Sequence, residues 1–148
     1  MSAVTDAIYA TIVADSQVTD QLTLFNGRSA IFSYRPVPES AVAPYVFIGE
    51  ARRDQHDDTL TSTGRVIVHP VWLIFPRSGG VGTLDQTAER IRTLFHRQSS
   101  IVVSGFSTVQ VIAEGPRLGT LEDEGGSENQ RVAEVARIVD VMFTLCEP

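Results

Sequence analysis

The stretch Thr63 to Phe75 puts apolar side chains on both faces of any strand it forms: Val66, Val68, Trp72 and Ile74 alternate with Ile67, Val71, Leu73 and Phe75. Successive strand residues point to opposite sides of a sheet, so both faces need cover. Antiparallel sheets commonly leave one face in water. This chain therefore has to supply a helical layer for one face and find something else for the other.

The first cover can be named from spacing. Leu84, Ala88, Ile91 and Phe95 recur at helical intervals behind a Thr83/Gln86 capping box, while Glu89, Arg90, Arg92 and Arg97 fall outside the stripe. A first helix starts at Ser2 and ends near Asp15, with Val4, Ala7, Ile8 and Ile12 on one side. Ser16 caps a short second turn that closes before the turn dipeptide Asn26-Gly27. Residues 1–26 thus read as an amino-terminal helical arm.

The remaining segments favour strands. Ala30 to Arg35 is a short strand, and Pro36, Pro38 and Pro44 lack the donor a ladder requires, which makes 36–44 a loop. Tyr45 to Arg53 follows as a strand, and Asp54 to Ser62 reads as an exposed hairpin tip. Ile101 to Val103 and Ser107 to Ala113 read as two short strands turned at Ser104-Gly105. Residues 115–130 form an acidic loop, because Glu122-Asp123-Glu124-Gly125-Gly126-Ser127-Glu128 is too charged and glycine-rich to pack alone. Arg131 to Cys146 fits a helix or a strand, and its β-branched middle decides for a strand that pairs with its neighbour across a hairpin. The expected fold class is α+β: a mainly antiparallel sheet with two principal helices packed on it, in one domain over residues 1–148.

Composition narrows the function. The formal charge is −6, so the chain as a whole lacks the basic footprint of a nucleic-acid binder. All of its basic residues are arginine, and the lack of lysine excludes a Schiff base, a pyridoxal phosphate anchor and the phosphate-loop lysine. Arginine also suits bidentate pairing with carboxylates at interfaces, although genomic base composition gives the same bias. Cys146 is the one cysteine, so no internal disulfide forms. Met1 to Asp6 has neither the basic region nor the apolar run of a signal peptide, which predicts synthesis in the cytoplasm. No apolar stretch approaches the roughly 18 residues of a membrane helix, so a soluble chain without membrane contact is expected.

Candidate chemistry is sparse. Gly79-Gly80-Val81-Gly82-Thr83 opens a helix, where backbone donors can hold phosphate, but it matches neither glycine-rich nucleotide fingerprint and reads as a connecting loop. Asp54, His56, Asp57 and Asp58 have the atoms for a divalent cation without the spacing of a zinc or calcium loop. Glu122, Asp123 and Glu124 likewise miss the calcium-loop order. His69 lies inside the long strand and reads as an interface or satisfied core residue. His96 closes a helix, and Cys146 has no local base. Arg52 and Arg53 stand at a strand end, either as a carboxylate-binding contact or as a solvated edge. No catalytic, cofactor-binding or metal-binding residue is assigned, and no cofactor is expected.

The order of elements carries more. An alanine- and isoleucine-rich helix, Gly27-Arg28-Ser29-Ala30-Ile31-Phe32, the entry Ala43-Pro44-Tyr45-Val46-Phe47-Ile48-Gly49, a polar tip, the strand ending Val71-Trp72-Leu73-Ile74-Phe75 and the helix Ala88 to Phe95 follow one another. This sequence resembles the tail-completion, or tail-terminator, proteins of long-tailed bacteriophages and gene transfer agents over nearly its whole length. The resemblance implies a non-enzymatic structural protein made in the bacterial cytoplasm and built into the virion neck. It further implies a hexameric ring that caps the head-proximal end of the tail tube, ends tube polymerisation and presents a joining surface. The implied partners are further copies of itself, the tail tube protein and a head connector or stopper protein, with genomic DNA passing through the channel unbound. Arg52, Arg53, Asp54, His56, Asp57, Asp58, Glu122, Asp123 and Glu124 are then expected to face an interface or the channel, where carboxylates repel DNA. A connector or stopper adaptor would share the absence of chemistry, and a small enzyme or ligand-binding domain would need a pocket with converging polar groups.

Overall fold

The computed structural model describes residues 3–33, 38, 41–56, 64–79, 81–119 and 134–146. Helix α1, Ala3–Val13, buries Val4, Ala7, Ile8 and Ile12, the stripe that its spacing predicts. Helix α2 is a single turn, Ser16–Thr19. Asp15, not Ser16, occupies its N-cap position, and the Asp15 carboxylate turns away to take two hydrogen bonds from Arg90 at 2.9 and 3.1 Å. Strands β1 (Leu24–Phe25) and β2 (Arg28–Ser29) form a small hairpin. Its turn residues Asn26 and Gly27 both have positive φ, 51° and 79°, as a two-residue hairpin turn of the favoured twist requires.

The main sheet comprises β3 (Ile31–Ser33), β4 (Tyr45–Ile48), β5 (Arg53–His56), β6 (Gly64–Pro76), β7 (Ser107–Gly119) and β8 (Glu134–Cys146). A short 3-10 turn, Arg77–Gly79, leads from β6 to helix α3, Val81–Phe95. The strand order is β3-β4-β6-β8-β7, with β5 also pairing β6. Only β3 and β4 run parallel among the described pairs. The protein is α+β, with a mainly antiparallel sheet and two principal helices, as its sequence predicts.

Several boundaries differ from the sequence reading. Tyr45 to Arg53 is not one strand: β4 pairs with Val71–Ile74 and β5 with Arg65–Val68, and the chain bulges between them. Asp54 and His56 therefore belong to a paired strand and not to a hairpin tip. Their polarity reflects exposure, since all four β5 residues are exposed. Helix α3 starts at Val81, so Thr83 lies inside it and its carbonyl accepts the Thr87 hydroxyl at 2.8 Å; it is not a cap. Ile101 to Val103 forms no strand, because Val103 is spent on a turn closed by the Phe106 N–H at 3.1 Å. Strand β7 runs on through Gly119, so 115–119, read as loop, belongs to the strand, and Arg117, Leu118 and Gly119 pair with β8. The choice of strand for the carboxy-terminal segment holds over Glu134–Cys146.

On the inner face, α1 and α3 cover β4, β6 and β8. Leu84, Ala88, Ile91 and Phe95 pack with Ile67, Val71, Leu73 and Phe75 and with Val139, Val141, Phe143 and Leu145 in one cluster. A fully buried side chain of this size contributes roughly 1.5–3 kcal/mol, so this layer dominates stability. The outer face divides into halves. At one end Trp72 and Ile74 are 6% and 2% exposed, packed with Tyr45, Phe47, Ala136 and Ile138. That half of the two-sided strand is covered within the protomer and needs no neighbour. At the other end Val66 and Val68 remain half-buried.

Candidate interaction surface

The uncovered half of the outer face is built around Asp140. This residue lies mid-strand on β8, paired with Pro70 on one side and Glu114 on the other. A carboxylate on a central strand needs partners, because removing it from water without them is costly. Two departures from strand regularity supply them. Between β4 and β5 the chain bulges, with the Gly49 and Arg52 N–H groups held by the carbonyls of Pro70 and Val68, each at 2.8 Å. Arg52 extends from that bulge to Asp140 Oδ1 at 2.9 Å. On β7 the register shifts between Glu114 and Arg117, which turns Arg117 to the same face. Its Nε and Nη2 reach Asp140 at 2.8 and 3.3 Å.

One carboxylate thus anchors two arginines from opposite edges. Burial pushes the Asp140 carboxyl up, but the hydrogen bonds from Arg117 and Arg52 outweigh it and hold the group below the usual carboxylate range. Beside it lies a depression of about 450 Å³ lined by Arg52, Arg53, Val68, Glu114, Asp140 and Met142. Two apolar side chains, Val68 and Met142, lie there among charged ones, the mixture that protein interfaces bury.

The sequence candidates fall around this surface unevenly. Arg52 and Arg53 are on its rim, and Arg53 donates to Gln55 at 2.9 Å. Asp54 and His56 point to the helix side, opposite Ile67 and Arg65. Asp54 takes two hydrogen bonds from Arg65 at 2.7 and 2.6 Å, and that guanidinium holds its carboxyl below the usual range despite the pull of burial. Asp57, Asp58, Glu122, Asp123 and Glu124 lie outside the described residues. His69 is buried in the core, 3% exposed, as a satisfied core residue. His96 Nδ1 accepts the Ala113 N–H at 3.3 Å.

Sequence reasoning missed Asp140 and Arg117. The available signal was a lone acid in the apolar run Ile138-Val139-Asp140-Val141, which demands a cation nearby. Among the described residues no three His, Cys, Asp or Glu side chains gather as a metal set, and no helix is long and apolar enough to cross a membrane.

The arrangement defines an α+β protein whose helices close one sheet face and whose half-open second face is bordered by arginines. No protein-family model matches the chain, and no curated protein does. Its fold is shared with a chain solved in the "Virion of native gene transfer agent (GTA) particle": the TM-score is 0.65 at 19% identity, over 96% of this chain and 92% of that one. A second solved chain aligns over 97% of this one at 13% identity with a TM-score of 0.43.

Proposed function

We propose that this chain is a structural virion protein that caps the head-proximal end of a phage or gene-transfer-agent tail tube as a ring. The cap ends tube polymerisation and offers the surface on which the head connector joins. The observation that carries this reading is the fold likeness to a chain of a gene transfer agent virion, which spans nearly all of both chains. The half-open sheet face, where Val68 and Met142 lie among arginines, is the kind of surface that an assembly subunit buries. The order of sequence elements points the same way.

In this reading the partners are further copies of the chain, the tube protein and the connector side of the neck. Arg52 and Arg53 belong to a contact between proteins. Asp57 and Asp58 carry negative charge toward the channel, where it discourages DNA from adhering. Electron microscopy of the purified protein mixed with isolated tail tubes tests the reading. One ring at one end of each tube is expected. Binding to the portal side alone would make the protein a stopper or connector, and no binding to either would remove the neck assignment.

A further inference from the structure

Helix α1 lacks a polar face. It contains one charged residue, Asp6, and the side turned away from the core carries Asp6, Ala10 and Val13, with Ala14 just beyond its end. Val13 is 41% exposed. A surface helix ordinarily sets charged and polar residues opposite its buried stripe, and a helix that is apolar all round belongs under cover. The opposite side of α1 is already spent on the core through Val4, Ile8 and Ile12. A second bare area lies across the sheet. Val68 pairs with Met142, and Met142 with Ile112, so three half-buried apolar side chains form a row over β6, β8 and β7 on the outer face. Arg53 pairs with Val68 and ends the row, and among the described residues its guanidinium donates only to Gln55, at 2.9 Å. Glu114 stands on β7, at the far side of the row.

The two areas match in chemistry and in size. Residues 1–27 contain no arginine, so the side chains of the arm that holds α1 bring only negative charge to meet Arg53. Asp6 and Val13 are about 10 Å apart along the helix at a rise of roughly 1.5 Å per residue. Arg53 and Met142 are separated by two strand spacings, again about 10 Å. A helix laid on a sheet is one of the stable layer packings. Because α1 covers the inner face and the row lies on the outer face, one molecule cannot bring them together. A head-to-tail contact between copies can.

Resting on the ring reading above, we infer that helix α1 of one copy lies over the open half of the outer sheet face of the next, with Asp6 against Arg53 and with Ala10 and Val13 on Val68 and Met142. The contact supplies the second cover for the Val68 half of β6. Charge reversal tests it, with Asp6→Arg and Arg53→Glu made singly and together. Both residues are exposed, so each variant should melt close to wild type. Either change alone should lower the fraction of tail-tube ends that carry a ring at least about fivefold. The double variant should recover to within about twofold of wild type, because every copy then meets a reversed neighbour while the tube protein is unchanged. Sedimentation of the free protein reads the same contrast without tubes. Single variants that assemble like wild type overturn the inference. So does a double variant as poor as the singles, which would set this surface against the tube protein, and in either case wild-type rings leave the function standing. A wild type that associates with the expected contrast but never rings tubes keeps the inference and removes the function, and one that does neither overturns both.

Discussion

His69 Nδ1 lies 2.8 Å from the carbonyl oxygen of Gly49 and replaces a ladder bond that its neighbour cannot make. Gly49 N–H donates to the Pro70 carbonyl at 2.8 Å, and in an unbroken antiparallel pair Pro70 would return an N–H to Gly49. Proline has none, so the imidazole donates instead. Because a carbonyl only accepts, the proton sits on Nδ1.

Burial of this imidazole makes stability depend on pH. Burial holds the His69 pKa below its ordinary 6.5, against the opposing effects of the Gly49 bond and the Asp54 charge. The unfolded chain then takes up the proton first, so stability is full above about pH 6.5 and falls as the medium is acidified below it. Thermal melts at pH 7.5 and 5.5 should show this loss, and His69→Gln should flatten it while costing no more than about 1 kcal/mol at pH 7.5. An equal slope in both proteins would assign the dependence elsewhere.

Asp140→Ala should destabilise the fold by about 1–3 kcal/mol in denaturant titrations, because it strips the shared acceptor from Arg52 and Arg117. Arg52→Ala alone should cost no more than about 1 kcal/mol, being an exposed partner with a second arginine still in place. The sign with pH is the same as that of His69, although here two guanidiniums and not burial lower the folded pKa. The Asp140 carboxyl is held below its ordinary 3.8, so its contribution is present above that value and lost as pH falls through the lower folded one. The stability of Asp140→Ala should therefore fall less steeply below about pH 4 than that of wild type.

Gly119→Ala should disturb the outer aromatic cluster. A Cβ at this position would stand 2.8 Å from the Trp72 ring and 3.1 Å from Ile138, closer than packed atoms allow. The expected cost is about 1–3 kcal/mol. Trp72 is the chain's one tryptophan, so its fluorescence reports the change directly, and an unaltered spectrum would mean that the ring has room to give.

Neutralising Asp57 and Asp58 with asparagine should slow genome delivery or impair joining in particles assembled with the variant. Asp54 is left intact, because its bidentate bond to Arg65 ties β5 to β6. Normal joining and infectivity would remove the channel role.

Much of the fold can be read along the chain. The α3 stripe Leu84, Ala88, Ile91 and Phe95, the α1 stripe and the opposed faces of β6 all follow from periodicity, a property of neighbours in sequence. The turn at Asn26-Gly27 follows from local backbone preference. β5 escaped notice because polar residues on an exposed strand carry no alternation to detect. The helix start escaped because Thr83 and Gln86 satisfy a capping pattern that Val81 and Gly82 override by coiling first.

Spacing along the chain settles the α1 and α3 stripes, the two apolar faces of β6 and the strand at Glu134–Cys146, since those follow from periodicity and side-chain chemistry. Only the tertiary structure decided that the Trp72 half of the outer face is sealed and the Val68 half is open, and that Arg52 and Arg117 meet at Asp140. Those partners lie 88 and 23 residues from it in the chain. Their meeting depends on strand register and on two bulges, and a one-residue slip in register would send each side chain to the other face.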